Sequence, residues 1–282
     1  MDYAIEISDL TKHYTDFTLD KINLKLPAGS IMGFVGENGA GKSTTIKLIL
    51  DLVHKDQGTI KILGKDQKSF SLTDREQIGV VMDDCCFPEV LNATEVGKIQ
   101  AKLYHNWDMN TYEKLLKNFS IPPKKPIKDY SKGMKMKLNI ACALSHKAKL
   151  LIMDEATSGL DPVVRDEILD FFLDFIQDET HSILLSSHIT SDLEKICDYI
   201  TLIHKGRIVF SQPKDELVEL YGILKCHEQE LHHLTAGAVL KYRKNEFGVE
   251  ALVLKHKVPK TMIVDRASIE DIMLFNIRGQ KL

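Results

Sequence analysis

The sequence predicts an α/β protein: a mostly parallel sheet interleaved with helices, preceded by short strands, interrupted by a helical stretch over about 88–148 and followed by a small α/β appendage. Three observations predict it. Short apolar runs suited to buried strands alternate with segments of helical periodicity. A glycine-rich loop joins one such strand to one such helix. Past about residue 223 the character changes to short strand candidates and a last helix, which divides the chain into 1–222 and 223–282. With 282 residues, 44% of them hydrophobic, the chain can bury a large core in one domain plus a smaller one.

In chain order, AIEISDL and FTLDKINLKL read as strands, PAG as a turn and SIMGFV as a buried strand. TTIKLILDLV has apolar residues at helical spacing, and QGTIKILG and REQIGVVMDD are further strands, the second ending in acidic residues. TEVGKIQAKLY and TYEKLLKNF belong to the helical stretch, which PPKKP interrupts. KLLIMDEA is an apolar strand ending in two carboxylates, RDEILDFFLDFIQD is helical, and SILLSSH is another buried strand. ITLIHKGRIVF reads as a hairpin turning at Lys205 and Gly206, and PKDELVELYG as a closing helix. In the appendage LKCHEQE, VLKYRKNE and GVEALVLKH are strand candidates, with SIEDIMLFNI as the last helix.

Residues 36–44, GENGAGKST, match G-x-x-x-x-G-K-[ST] between a strand and a helix. Such a loop bends tightly and aims backbone N–H groups at a phosphate chain, while its lysine and the helix N-terminus add positive potential. The candidate phosphate contacts are therefore Gly36, Asn38, Gly39, Ala40, Gly41, Lys42, Ser43 and Thr44. In LLIMDE the apolar strand delivers Asp154 and Glu155 to its end, where carboxylates are costly unless a positive group is near. A Mg²⁺ carried by a nucleotide meets that need. Asp154 would hold it together with the Ser43 hydroxyl, and Glu155 would orient and deprotonate the water that attacks a γ-phosphate.

Composition excludes other classes. With 37 basic and 40 acidic residues the net charge is -3, so no global positive field advertises nucleic acid. No run reaches the roughly 18 uncharged residues of a membrane span, and MDYAIEISDL lacks a leader pattern, so this polypeptide is expected not to cross a bilayer itself. Five cysteines without C-x-x-C spacing point to reduced thiols in a cytosol, with Cys85 and Cys86 as packing residues. His227, His232 and His233 lack ligand spacing, so no structural zinc is expected. Trp107 reads as packing in the helical subdomain, and the lysines of 124–137 as a solvated face that could also meet a partner.

Together these residues resemble the nucleotide-binding subunit of ABC transporters from about Ile5 to Gly222. GENGAGKS is like the family's phosphate loop, YSKGM at 130–134 like its signature, LLIMDE at 150–155 like its acidic strand, SGLD at 158–161 like its dimer-contacting loop and SSH at 186–188 like its switch histidine. The resemblance implies a P-loop NTPase core of the ABC ATPase kind, with an antiparallel β subdomain and a helical subdomain over about 88–148, that hydrolyses ATP with Mg²⁺. It also implies a head-to-tail dimer, of this chain with itself or with a related ATPase subunit, holding each ATP between one subunit's phosphate loop and the other's signature. Ser131 and Gly133 would then reach the γ-phosphate from across the interface, and His188 would bond it from the same subunit. Asp161 would cap the helix starting at Pro162 and contact the partner; Tyr14 would stack on adenine or else pack. A peripheral motor at the cytoplasmic face of the membrane, driving a separate multi-span permease, follows from the family. SKGM and the SIEDIMLF tail resemble bacterial exporters of antibiotics and antimicrobial peptides. The alternative is a soluble ABC-type clamp on nucleic acid or ribosomes, against which stand the absence of heptads and of duplication.

Two positions depart from the family's pattern. Asp83 stands where glutamine is usual; it could bind Mg²⁺ or simply cap or turn the loop. The signature reads YSKGM instead of L-S-G-G-Q, which keeps Ser131 and Gly133 but introduces Lys132 and Met134.

Overall fold

The computed structural model describes all residues except 1, 232, 247 and 282. His232 of the expected zinc-free trio thus lies outside the described residues. The chain starts with β1 (Tyr3–His13) and β2 (Thr18–Pro27), enters the interior with β3 (Ile31–Val35) and leaves it through α1 (Lys42–Ile49). It continues through β4 (Gln57–Ile62), β5 (Lys65–Asp66), α2 (Leu72–Arg75) and β6 (Ile78–Val81) into three helices, α3 (Ala93–Leu103), α4 (Met109–Asn118) and α5 (Lys132–Leu144). Then come β7 (Leu150–Asp154), α6 (Pro162–Phe175), β8 (Ser182–Ser186), α7 (Thr190–Ile196), β9 (Tyr199–His204), β10 (Arg207–Pro213) and α8 (Lys214–Leu220). The appendage comprises β11 (Tyr221–Cys226), α9 (Glu228–Leu231), β12 (Val239–Asn245), β13 (Gly248–Leu254), β14 (Val264–Arg266) and α10 (Ile269–Arg278).

The central sheet has the order β10-β9-β3-β8-β7-β6, parallel except for the β9–β10 hairpin. Lys205 and Gly206 turn that hairpin with positive φ, as the K-G pair predicts. Strands β3, β7 and β8 are buried at every position, because alternate residues feed two cores. Ile31, Val35, Leu151 and Met153 face the side covered by α3–α7, whereas Met32, Phe34, Leu150 and Ile152 face the side covered by α1 and the antiparallel sheet β2-β1-β4-β5. Parallel strands share one carboxyl end, so the segments after β3, β6, β7 and β8 open together there.

The helical subdomain is held by its own aromatics. Tyr112 is fully buried, donates to the Ala93 carbonyl at 2.8 Å and lies against Gly97, where an added Cβ would sit 2.5 Å from its ring. Trp107 packs on Tyr112, with ring centroids 5.1 Å apart, as expected of a packing residue. Capping sets the helix starts: Asn92 forms a capping box with Glu95, and Ser131 accepts from the Met134 amide at 3.2 Å.

The expected boundary at 222/223 falls inside β11. The appendage has a small core of its own around Leu224, Val249, Ala251 and Val253. Its last helix docks on the ATPase part: Ile269, Ile272 and Phe275 share a core with Leu193 and Ile196, and the Ile269 amide donates to Glu194 at 2.6 Å. LKCHEQE splits, since the strand stops at Cys226 and Glu228–Leu231 is a helical turn. The short β5, α2, α7 and β14 lie in segments whose pattern predicts no element.

Candidate active site

The segments at the carboxyl end of the sheet surround a cleft of about 720 Å³ whose lining includes Asn38, Gly39, Gly41, Lys42, Ser43, Thr44, Asp83, Glu155 and His188. The phosphate loop owes its shape to its glycines. Gly39 and Gly41 have φ of 79° and 117°, in the left-handed region that disfavours side chains. Gly36 meets a different limit: an added Cβ would lie 2.4 Å from the Ile203 carbonyl oxygen on β9. The loop is pressed against the neighbouring strand there. Gly41 caps α1 without any side-chain hydrogen bond, so the amides that open the helix remain available to an anion.

Lys42 is buried and its Nζ arches back over the loop to donate to the Gly36 carbonyl at 2.8 Å. It also lies 3.5 Å from Glu155 Oε1. The other oxygen of that carboxylate, Oε2, meets His188 Nδ1 at 2.6 Å. Glu155 holds this place with φ of 54°, a backbone conformation that costs a non-glycine residue about 1–3 kcal/mol. Its carboxylate lies in the cleft between the phosphate-loop lysine and His188, two residues past the end of β8.

Asp154, at the end of β7, is buried, and its Oδ1 has no hydrogen-bond partner. A carboxylate oxygen in that state is costly. A hard cation would satisfy it, and the chemistry of the donors suits Mg²⁺, which takes one or two protein oxygens and completes its shell with phosphates and water. No group of three or more His, Cys, Asp or Glu side chains able to hold a metal occurs among the described residues.

The other expected residues divide by position. Asp83 lines the cleft, and its Oδ1 lies 3.0 Å from Lys132 Nζ. Tyr14 is 44% exposed and not part of the lining; Phe17, whose ring centroid is 6.5 Å from that of Tyr14, is. Phe17 carries no motif, since FTLD reads only as the start of a strand, and Asp16 just before it also lines the cleft. Glu37, also in the lining, stands in a motif position open to any residue, and Ser158 brings the start of the SGLD loop into the same lining. Ser131, Gly133 and Asp161 lie outside this cleft. Asp161 caps α6, accepting from the Val164 amide at 3.0 Å ahead of Pro162.

A family-wide sequence profile described as ABC transporter matches residues 19–158. The bacitracin transport ATP-binding protein BcrA of Enterococcus faecalis is 37% identical over 212 residues, covering 74% of this chain and 69% of that protein. The chain belongs to the ABC transporter ATP-binding family. It is thus an ATP-binding ATPase. The lantibiotic transport ATP-binding protein SrtF of Streptococcus pyogenes is 34% identical, covering 77% of this chain and 96% of that protein. A solved ATP-binding subunit of an ABC transporter superposes with a TM-score of 0.69 at 30% identity, covering 76% of this chain and 91% of that one. The expected P-loop NTPase core with its antiparallel and helical subdomains is therefore correct. Nothing in these relatives favours a clamp on nucleic acid.

Proposed function

We propose that this ABC ATPase is the motor subunit of an exporter, closing head to tail with a second ATPase subunit, a copy of itself or a relative, over two MgATP molecules. The observation that carries the reading is the division of the site residues. Lys42, Glu155 and His188 converge on one wall of the cleft, whereas Ser131 and Gly133 stand outside it. A γ-phosphate exposes oxygens on every side, and a second subunit can supply the donors missing from the open face.

In this reading the loop amides and Lys42 cradle the phosphates, and Ser43 and Asp154 hold the metal. When bound, Mg²⁺ neutralises charge on the phosphate oxygens. Glu155 orients the attacking water and takes its proton. His188, already bonded to Glu155, keeps that carboxylate aligned and reaches the γ-phosphate. Closure with ATP and opening after hydrolysis would move a separate multi-span permease. Among the described residues no helix is long and apolar enough to cross a membrane. The names of the bacitracin and lantibiotic relatives support export of antimicrobial peptides or drugs, and with it a peripheral place at the cytoplasmic face. Residues 1–222 form the ATPase in this reading and 223–282 an appendage clasped to it by α10.

Two measurements test the proposal. In mixed dimers, Ser131→Ala in one subunit lowers hydrolysis at the site built on its partner's phosphate loop; unaltered turnover there removes the shared site. Affinity purification from native membranes brings down a multi-span protein, and recovery of ribosomes or DNA in its place would reverse the assignment.

A further inference from the structure

Asp83 and Lys132 are the two charged residues by which this chain departs from the family's pattern, and they pair with each other at 3.0 Å. The pair joins regions with different duties. Asp83 follows β6 and lines the subunit's own nucleotide cleft; Lys132 is the first residue of α5, next to Ser131 in the signature. To reach Asp83 the lysine crosses the SGLD loop, where its Nζ lies 3.1 Å from the place a Cβ on Gly159 would occupy. Both side chains are about half exposed, 47% for Lys132 and 50% for Asp83, so the pair is weak and can exchange partners. The first turn of α5 holds no acidic residue, and its second lysine, Lys135, is already engaged by Glu89 at 2.8 Å.

We infer that Lys132 is a γ-phosphate-binding residue for the facing subunit, and that Asp83 is a positioning residue that holds it back until ATP arrives there. The inference rests on the shared-site reading above. In the separate subunit Asp83 neutralises the ammonium and keeps it on its own cleft. When two subunits close, the triphosphate bound by the partner outcompetes one carboxylate, and Lys132 swings from Asp83 to that phosphate. Each closure then breaks two such pairs, which sets how much ATP the sandwich requires. The position that holds glycine in the commoner signature is here a cation, and the usual glutamine is here its matching anion.

The test uses the full chain carrying Glu155→Gln, with MgATP-driven dimer formation read by light scattering. Asp83→Asn is expected to lower the dimer dissociation constant about two- to thirtyfold, since two weak pairs per dimer no longer oppose closure. Lys132→Gln raises it, Lys132→Arg leaves it near the parent, and Asp83→Asn added to Lys132→Gln changes nothing further. An Asp83→Asn protein that needs more ATP or the same amount, or whose effect persists without Lys132, overturns the inference in favour of a metal or purely structural role. If the parent dimerises as expected, such a result leaves the shared site standing. If the parent stays monomeric with saturating MgATP, the shared site falls and this inference with it.

Discussion

Replacing Glu155 by glutamine removes a negative charge from the cleft while keeping the volume and one hydrogen-bonding oxygen. Glu155 Oε1 stands 3.5 Å from Lys42 Nζ, so the carboxylate competes with an incoming phosphate for the same ammonium. Coulomb's law at an effective dielectric near 20 gives about 5 kcal/mol for unit charges at that separation. Most of it is offset by the solvation both groups recover when apart, leaving about 1–2 kcal/mol, or roughly five- to thirtyfold tighter ATP binding. Loss of the base acts in the other direction on chemistry. General-base catalysis contributes about 10²–10⁴-fold, so turnover falls by that factor while affinity rises. His188 still finds an oxygen at position 155, so the wall of the cleft keeps its shape. The assay pairs calorimetric titration with ATP against phosphate release from the same preparation. Turnover within threefold of the parent would refute the base role, and weaker ATP binding would refute the argument from charge.

Two further outcomes follow from the geometry. Gly36→Ala places a Cβ 2.4 Å from the Ile203 carbonyl, a backbone atom that cannot step aside, so the loop shifts; this costs about 1–3 kcal/mol and weakens ATP binding. Gly39→Ala has nothing within 4 Å and bears only its φ of 79°, about 1–2 kcal/mol, so equal losses of ATP affinity in the two variants would contradict this division between clash and strain. Asp74 is held down to about 2 from an ordinary 3.8, first by Lys65 and then by the Ser71 cap. Its lowered value means stability that is fully present above about pH 4 and lost as pH falls toward 2. The denaturation difference between the parent and Asp74→Asn therefore shrinks across that window, and a constant difference excludes the linkage.

Most of the site was legible because its motifs are local. A phosphate loop needs a strand, glycines, a lysine and a helix within about 20 residues, and all of those are contiguous in the sequence. The acidic strand was equally plain, since apolar residues run without a break up to Asp154. What escaped depends on where the chain returns in space. Phe17 enters the cleft because β2 runs beside the loop after β9: the Asp20 amide donates to the Gly206 carbonyl at 2.9 Å, a contact between residues 186 positions apart. The strained φ of Glu155 is likewise invisible in a string, because no residue type announces it.

Asp83 and Lys132 show the same limit from the other side. Each was noticed alone as a departure, and each alone looked like damage to a motif: a carboxylate that cannot donate to water, and a bulky cation in place of glycine. Separated by 49 positions, they become intelligible only when β6 and α5 bring them to 3.0 Å. A charge placed beside a phosphate site carries a standing cost whenever the phosphate is absent, because it must then be solvated or paired. Supplying the counter-charge from the subunit's own cleft meets that cost, and in the proposed dimer it would make the pairing conditional on what the facing subunit has bound. One substitution without the other would leave either an unopposed cation at the signature or an unopposed anion beside the triphosphate. The two departures therefore make physical sense as a unit: in MgATP-driven dimerisation Asp83→Gln alone should tighten closure, Lys132→Gly alone should weaken it, and Asp83→Gln added to Lys132→Gly should change nothing further.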